Sequence, residues 1–446
     1  MAKQLHAQWS SRLTFILAVT GSAVGLGNIW KFPYMVGDSG GAAFVLVYLA
    51  CIALVGLPIL VSEWLIGRRG QKNPINTMTE LARQNGRSSA WGVVGLSGVL
   101  AGFLILSFYS VIGGWSLSYT VNSIGGTFTG QDADTIGELF NGLLASPGVL
   151  LAWHSLFMVL VIGIVARGVT KGLEGAVRTM MPALGLLLLV LVGYGMTTGH
   201  FGETLGFMFN PDLGAVDGGV VLAAMGQAFF TLSLGMGIMM AYGSYLGEKV
   251  DLLRTARTVV ILDTVIALVA GLAIFPIVFA NGLDPSAGPG LIFVTLPLAF
   301  GSLSGGALLG LIFFLLLTFA ALTSAISLLE PTVEFIEERT PLSRVGATLV
   351  GGIATWALGI AALLSFNVWG DFLILGLGIF DFLDTLTSKF MLPLTGLAAI
   401  LFVGWRLDRH SVSNELGLGR TGAIVWHLLT RFVAPIGVII VFVTSL

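Results

Sequence analysis

One cysteine in 446 residues, Cys51, rules out any internal disulfide. It lies in an apolar stretch, where a packing role suits it. Charge is almost as scarce: Asp, Glu, Lys and Arg make up 10% of the chain, against about 25% in a typical soluble domain. Five histidines (His6, His154, His200, His410 and His427) are scattered, with no metal-ligand spacing and no nucleophile constellation beside them. That disfavours a membrane enzyme. The first residues, MAKQLHAQWSSR, have no small-residue cleavage pattern, so the first hydrophobic stretch is expected to be retained. The net charge of −2 says nothing useful about partners, and no nucleic-acid partner is expected.

What the chain has in abundance is apolar sequence. Hydrophobic residues are 56% of the total and the mean hydropathy is +0.95. Stretches of roughly 20 apolar residues, enough to cross a bilayer, recur throughout. Eleven spans are predicted, at about 13–36, 42–67, 91–124, 149–166, 173–198, 218–247, 255–281, 306–336, 345–365, 376–404 and 423–445. The third, sixth and eighth are longer than a bilayer requires and should tilt or project.

The cations fall in alternate connections. Arg68, Arg69, Lys72, Arg83 and Arg87 follow span 2; Arg167 and Lys171 follow span 4; Lys249, Arg254 and Arg257 follow span 6. Arg339 and Arg344 follow span 8, and Arg406, Arg409 and Arg420 follow span 10. The other connections carry acids, such as Asp132, Asp134, Glu138, Glu203, Asp212, Asp217 and Asp284. The positive-inside rule therefore places the N-terminus in the cytoplasm, and an odd span count places the C-terminus outside. The expected setting is the plasma (inner) membrane, crossed many times.

Two of the spans interrupt themselves. Gly21 to Asn28 reads GSAVGLGN inside span 1, and Thr231 to Gly237 reads TLSLGMG inside span 6. Each glycine costs a helix roughly 1 kcal/mol relative to Ala. In lipid, an unwound turn also frees backbone groups that need partners. Spans 1–5 and 6–10 then form two halves with a broken helix in equivalent places. An odd number of spans per half inverts the second automatically. Such paired breaks point to a transporter site near the membrane midplane. The predicted fold class is all-α and integral to the membrane, with inverted five-helix repeats. Its parts are a cytoplasmic segment (1–12), a first repeat (13–198), an external loop (199–217), a second repeat (218–404), and a cytoplasmic loop with helix 11 (405–446). LDPSAGPG at 283–290 has turn chemistry that suits the approach to a short helical lid.

These motifs resemble the neurotransmitter sodium symporter family of Na+-coupled transporters, itself a type example of that architecture. The resemblance rests on GSAVGLGNIWKFPY (Gly21–Tyr34), SGGAAF (Ser39–Phe44), GLPIL and EWLIGR (within Gly56–Arg68), GQAFFTLSLGMG (Gly226–Gly237) and LTSAIS (Leu322–Ser327), in order and on the expected spans. It extends from Trp9 to about Gly404 and implies a LeuT-like fold. The short eleven-span form is similar to the bacterial branch that handles hydrophobic amino acids.

The resemblance implies two Na+ sites. One takes the Ala23 carbonyl, the Asn28 side chain, Thr231, Asp263 and the substrate carboxylate; the other takes the carbonyls of Gly21, Val24 and Ala320 with the hydroxyls of Thr323 and Ser324. Oxygen donors suit a hard cation. On residues alone, Thr323 and Ser324 also fit the ordinary case of membrane-helix hydroxyls bonded to their own backbone. Asp263, within VVILDTVIALVAG, is an expensive buried carboxylate, functional by default, with a structural brace as the alternative. The family usually has Asn there. Chloride-dependent relatives have Ser one turn on, where this chain has Ala267. Transport independent of chloride is therefore expected, with Asp263 supplying the anion's charge. Glu63 is expected to brace the break in span 6.

For the substrate, the N–H groups of Leu26 and Gly27 at the start of a half-helix suit a carboxylate. Tyr109 resembles the family tyrosine that binds it too. The amine would lie among carbonyls of Ala23, Phe230, Thr231 and Ser233, and the side chain among Ser22, Ile105, Tyr109, Phe230, Met236, Ser324 and Leu328. With no acid or base there, an aliphatic or aromatic L-amino acid is expected, and the adaptable Met236 favours large side chains. For the outer gate, Lys31 stands where the family usually has Arg, facing Asp381 or Asp384. Lys389 pairs with Asp384 or Asp263, or snorkels. For the inner gate the resemblance gives Trp9, Tyr245 and Glu338. The family's N-terminal Arg is replaced by His6, leaving Lys3 or Arg12 as substitutes. Gly172 and Pro182 enclose nine residues of span 5 that are expected to unwind.

The expected function is Na+-driven import of hydrophobic L-amino acids by alternating access. A transport-inactive Na+-dependent sensor, or a symporter of another amine or osmolyte, remains open. Oligomeric state is not legible.

Overall fold

The computed structural model describes residues 9–247, 249–285, 290–303 and 305–444. Long apolar helices dominate because lipid leaves backbone groups no partner but one another. Among the described residues, nine helices are long and apolar enough to cross a membrane. They are Ala42–Gly70 (span 2), Ser89–Ile124 (span 3), Pro147–Val165 (span 4), Val169–Thr197 (span 5), Leu252–Ala280 (span 7), Gly306–Arg339 (span 8), Arg344–Leu364 (span 9), Ile379–Trp405 (span 10) and Arg420–Val443 (span 11). Span 1 is a bent pair, Arg12–Ala23 and Gly27–Asp38, turned by 51° at the break. Span 6 is two shorter helices, Gly218–Thr231 and Ile238–Ser244, on either side of TLSLGMG.

Start signals are conventional. Ser11, Asp217 and Asp251 cap spans 1, 6 and 7, each accepting a backbone N–H two or three residues into its helix. Pro147 opens span 4 at a position where its missing N–H costs nothing. The straight helix of span 3 has 33 residues, roughly 50 Å at 1.5 Å per residue, so it overshoots a bilayer core as its length predicts.

The packing repeats under an exchange of each span with the one five places on. Spans 3 and 8 pack together along their lengths, as do 4 and 9, and 2 and 7. Span 5 lies against 7 and 8, while span 10 lies against 2 and 3. The two broken spans run through the middle, and nearly every residue at their breaks is buried.

Close approach to the breaks depends on missing side chains. A Cβ on Gly67 of span 2 would lie 2.0 Å from the Met240 carbonyl oxygen of span 6. Overpacking of this kind typically costs about 1–3 kcal/mol. Gly67→Ala is expected to lower the thermal unfolding midpoint of detergent-solubilised protein by several degrees. Gly185→Ala, where a Cβ meets nothing within 4 Å, should not lower it. Equal midpoints for the two variants would contradict this account of the span 2–span 6 contact.

Candidate cation and substrate site between the two broken helices

Unwinding spans 1 and 6 frees backbone groups, and most find named partners. Val24, at the end of the first half-helix, has left helical geometry (φ −77°, ψ 90°). The Leu26 N–H donates to the Tyr109 hydroxyl at 3.3 Å. The Gly27 carbonyl accepts from Gln227 Nε2 at 2.7 Å. The Ser22 carbonyl accepts from Ser324 Oγ at 3.0 Å and Ser233 Oγ at 3.1 Å. In span 6, Ser233, Gly235 and Gly237 all take positive φ, which only the two glycines adopt without strain. The Gly235 N–H donates to Glu63 Oε1 at 2.9 Å, so Glu63 braces this backbone as its place in the sequence suggests.

Directly against the first break lies a buried polar cluster. Asn28 Nδ2 donates to Asp263 Oδ1 at 2.8 Å. Thr231 Oγ1 lies 3.1 Å from both Asp263 oxygens and 3.2 Å from Asn28 Oδ1. All three residues have zero solvent exposure. Among the described residues Asp263 forms no ion pair with a side chain. A carboxylate held by an amide N–H and a hydroxyl, with the Asn28 amide oxygen alongside and no cationic side chain paired with it among the described residues, fits a hard cation. Among the described residues no group of three His, Cys, Asp or Glu exists that would suit a softer metal.

The second predicted cation cluster is assembled less directly. Thr323 Oγ1 bonds the carbonyls of Ala320 and Phe319, each at 3.0 Å, as a hydroxyl without another ligand does. Ser324 Oγ turns to the Ser22 carbonyl. The Val24 carbonyl accepts no hydrogen bond among the described residues, and Gly21 packs against Met181 and Val177 of span 5. Span 5 is wound through 173–181, with a wide turn at Val169–Leu173 and Pro182 inside the helix.

Beside these clusters is a narrow cavity of about 20 Å³. Its lining includes the predicted Ser22, Ile105, Tyr109, Phe230, Met236, Ser324 and Leu328, together with Ala23, Gly27 and Ser233. Leu26 reaches it through the hydroxyl of Tyr109, and Thr231 lies in the adjoining polar cluster. Gly25 also lines it, unforeseen: a Cβ there would fall 2.2 Å from Ser324 Oγ. The cavity's free space is about that of one water, so a small zwitterion with an apolar side chain would have to widen it.

Both ends carry closing groups. On one side, Lys31 Nζ sits 4.6 Å over the Phe230 ring and shares a cavity with Asp384 and Lys389. Asp381 does not line that cavity, and neither acid pairs with Lys31 among the described residues. On the other side, Trp9 Nε1 donates to the Tyr242 carbonyl at 3.2 Å, and its ring lies edge-on to Tyr242 and Tyr245. Tyr245 donates to Glu330 at 2.7 Å, and Arg344 clamps the same carboxylate with two nitrogens. Glu338 instead accepts from the Asn73 N–H at 2.6 Å and from Asn76 at 2.7 Å. Lys3 and His6 lie outside the described residues. Arg12 bonds Thr255 at 3.3 Å, while Ser10 donates twice to Glu174 of span 5. Sequence reasoning missed Gln227, Glu330 with Arg344, and Glu174. Each is a lone polar residue in or beside an apolar span, a signal that was available.

Trp9 is the piece whose removal should loosen the inner end. Trp9→Ala is expected to speed amide hydrogen exchange in Ile238–Ser244 by roughly tenfold or more, since that helix loses its covering ring and a carbonyl partner. Unchanged exchange would contradict the plug.

A model of the sodium:neurotransmitter symporter family matches residues 6–141 and 134–446. The chain is 39% identical to the uncharacterized sodium-dependent transporter YhdH of Bacillus subtilis, covering 99% of this chain and 98% of that protein. It is 34% identical to an uncharacterized sodium-dependent transporter of Haemophilus influenzae, covering 98% of each. Among solved structures, MhsT in complex with L-phenylalanine superposes with a TM-score of 0.92 at 48% identity, covering 99% of this chain and 100% of that one.

Proposed function

Because the chain belongs to the sodium:neurotransmitter symporter family, a family of multi-pass membrane transporters and not of enzymes, we propose that it imports hydrophobic L-amino acids together with Na+. Sodium-dependent symport is the family's activity. The substrate class and the ion sites are our reading of this chain's residues.

The observation that carries the reading is Asp263. It is fully buried, hydrogen-bonded by Asn28 and Thr231, and adjacent to both helix breaks. A carboxylate in such a place is stable only with a counter-charge, and Na+ supplies one. With the Ala23 carbonyl, these residues form one ion site, which the substrate carboxylate completes. Substrate and ion then stabilise each other, which is the physical content of coupling. Gly21, Val24, Ala320, Thr323 and Ser324 form a second site, whose hydroxyls turn from their present carbonyl partners to the ion. The substrate carboxylate binds at Leu26, Gly27 and Tyr109. Its amine lies among carbonyls of Ala23, Phe230, Thr231 and Ser233. Its side chain enters the uncharged cavity beside Met236, and the phenylalanine held by MhsT supports a large apolar one.

The two five-span halves, 13–198 and 218–404, move against each other about this site, with 1–12 a cytoplasmic segment and 405–446 peripheral. The cation distribution in the loops supports a cytoplasmic N-terminus and an external C-terminus in the plasma membrane. Lys31, Phe230 and Asp384 close the outer path. Trp9 and Tyr245 close the inner one, with Glu338 fastening the segment after span 2.

The test is uptake of labelled leucine, tryptophan and tyrosine into proteoliposomes under an inward Na+ gradient with gluconate replacing chloride. Accumulation against the gradient is expected. Saturable Na+-dependent binding without accumulation would indicate a sensor, and no binding of any of the three would overturn the substrate class. Asp263→Asn removes the fixed charge and should either weaken Na+ coupling at least tenfold or make uptake require chloride. Unchanged uptake with and without chloride would remove Asp263 from the ion site.

A further inference from the structure

The cavity beside Lys31 is larger than the central one, about 170 Å³ against about 20 Å³, and its chemistry is different. One side is polar: Lys31, Asp384, Ser388 and Lys389. The other is apolar, built from Leu222 and Met225 of span 6 and Val441 and Phe442 of span 11. Asp384 is engaged by Ser388 Oγ at 2.8 Å, and Lys31 leans on the Phe230 ring. Among the described residues neither Lys31 nor Lys389 forms an ion pair. Two ammonium groups and one carboxylate leave a net positive charge in a mostly apolar crevice.

Position sharpens the point. Lys389 is exposed and lies ten residues beyond Ile379, the first residue of span 10, roughly 15 Å along a helix axis. Ile436 and Val443, on the span 11 wall, present exposed apolar side chains of the kind that face lipid. A cation at such depth is costly unless it meets an anion. The central site does not meet that need, since Asp263 is buried with Asn28 and Thr231.

We propose that this crevice binds a single-chain carboxylate amphiphile, such as a free fatty acid. Its carboxylate lies between Lys389 and Lys31, and its chain runs along Leu222, Met225 and Phe442. Charge complementarity selects the head and the apolar wall selects the tail. A diacyl phospholipid fits less well, because its bulky phosphate stays at the headgroup level while Lys389 lies well down the helix. The inference does not depend on what the protein transports. A bound carboxylate would draw Lys31 off the Phe230 ring and so act on the outer gate.

The test is native mass spectrometry of the detergent-solubilised full chain with oleate as probe. One oleate per chain is expected, with affinity reduced at least tenfold by Lys389→Met and kept within about twofold by Lys389→Arg. Oleyl alcohol, the same chain without charge, should bind at least tenfold more weakly. Ala223→Trp fills the apolar wall without touching a charge and should also exclude oleate, so a folding defect in one lysine variant would not leave the question unsettled. Oleate binding indifferent to both Lys389→Met and Ala223→Trp would overturn the proposal. So would phosphatidylglycerol binding there more tightly than oleate.

Discussion

An unwound turn inside a membrane protein must find a partner for every backbone group it frees, and that constraint organises this molecule. Lipid offers nothing to an open N–H or C=O. The breaks in spans 1 and 6 therefore recruit side chains from three other spans. Tyr109 of span 3 takes the Leu26 N–H, Glu63 of span 2 takes the Gly235 N–H, and Ser324 of span 8 reaches the Ser22 carbonyl. Gln227, from span 6 itself, holds the Gly27 carbonyl. Among the described residues the Val24 carbonyl accepts no hydrogen bond. The polar chemistry of the core is mostly the answer to these two interruptions, so the site and the fold are one problem.

The same economy explains how ions and substrate can be coupled on the proposed reading. Asp263 comes from span 7, Asn28 from span 1 and Thr231 from span 6, and they meet where both helices have opened. An ion there binds three elements at once, and a substrate carboxylate at the Leu26–Gly27 turn adds to the same electrostatic balance. On the same reading, rings close both ends of the path. Phe230 lies under Lys31, and Trp9 lies edge-on to Tyr242 and Tyr245. At the inner end, charge is used to anchor the rings: Arg344 holds Glu330, and Glu330 holds Tyr245. That arrangement supplies a fixed cation at this end.

Much of this was legible in the sequence because membrane helices have strong signatures. Apolar runs gave the spans, and glycine clusters gave both breaks. The pocket residues from Ser22 to Leu328 came from motifs, and the structure gathers them around one cavity. What was not legible depends on packing between distant elements. Gly25 lines the cavity only because Ser324 and Tyr109 crowd its Cα, which no spacing along the chain reveals. Thr323 and Ser324 read either as ion ligands or as hydroxyls bonded to backbone, and which carbonyls they reach, those of Phe319, Ala320 and Ser22, depends on packing. The Glu330–Arg344 pair joins residues on different helices, and choosing Arg344 from several candidate cations needs the tertiary arrangement. Span 6 read as a thirty-residue segment broken at TLSLGMG, and its two helices are short and separate, because the glycines and Ser233 turn the chain.

The most direct test is calorimetric binding of L-phenylalanine to the purified protein as Na+ is varied, with choline holding ionic strength constant and no chloride present. The account predicts an affinity that rises with Na+, with a slope of at least one on logarithmic axes, because ion and carboxylate share a site. Affinity for phenylalanine that is the same with and without Na+ would contradict it.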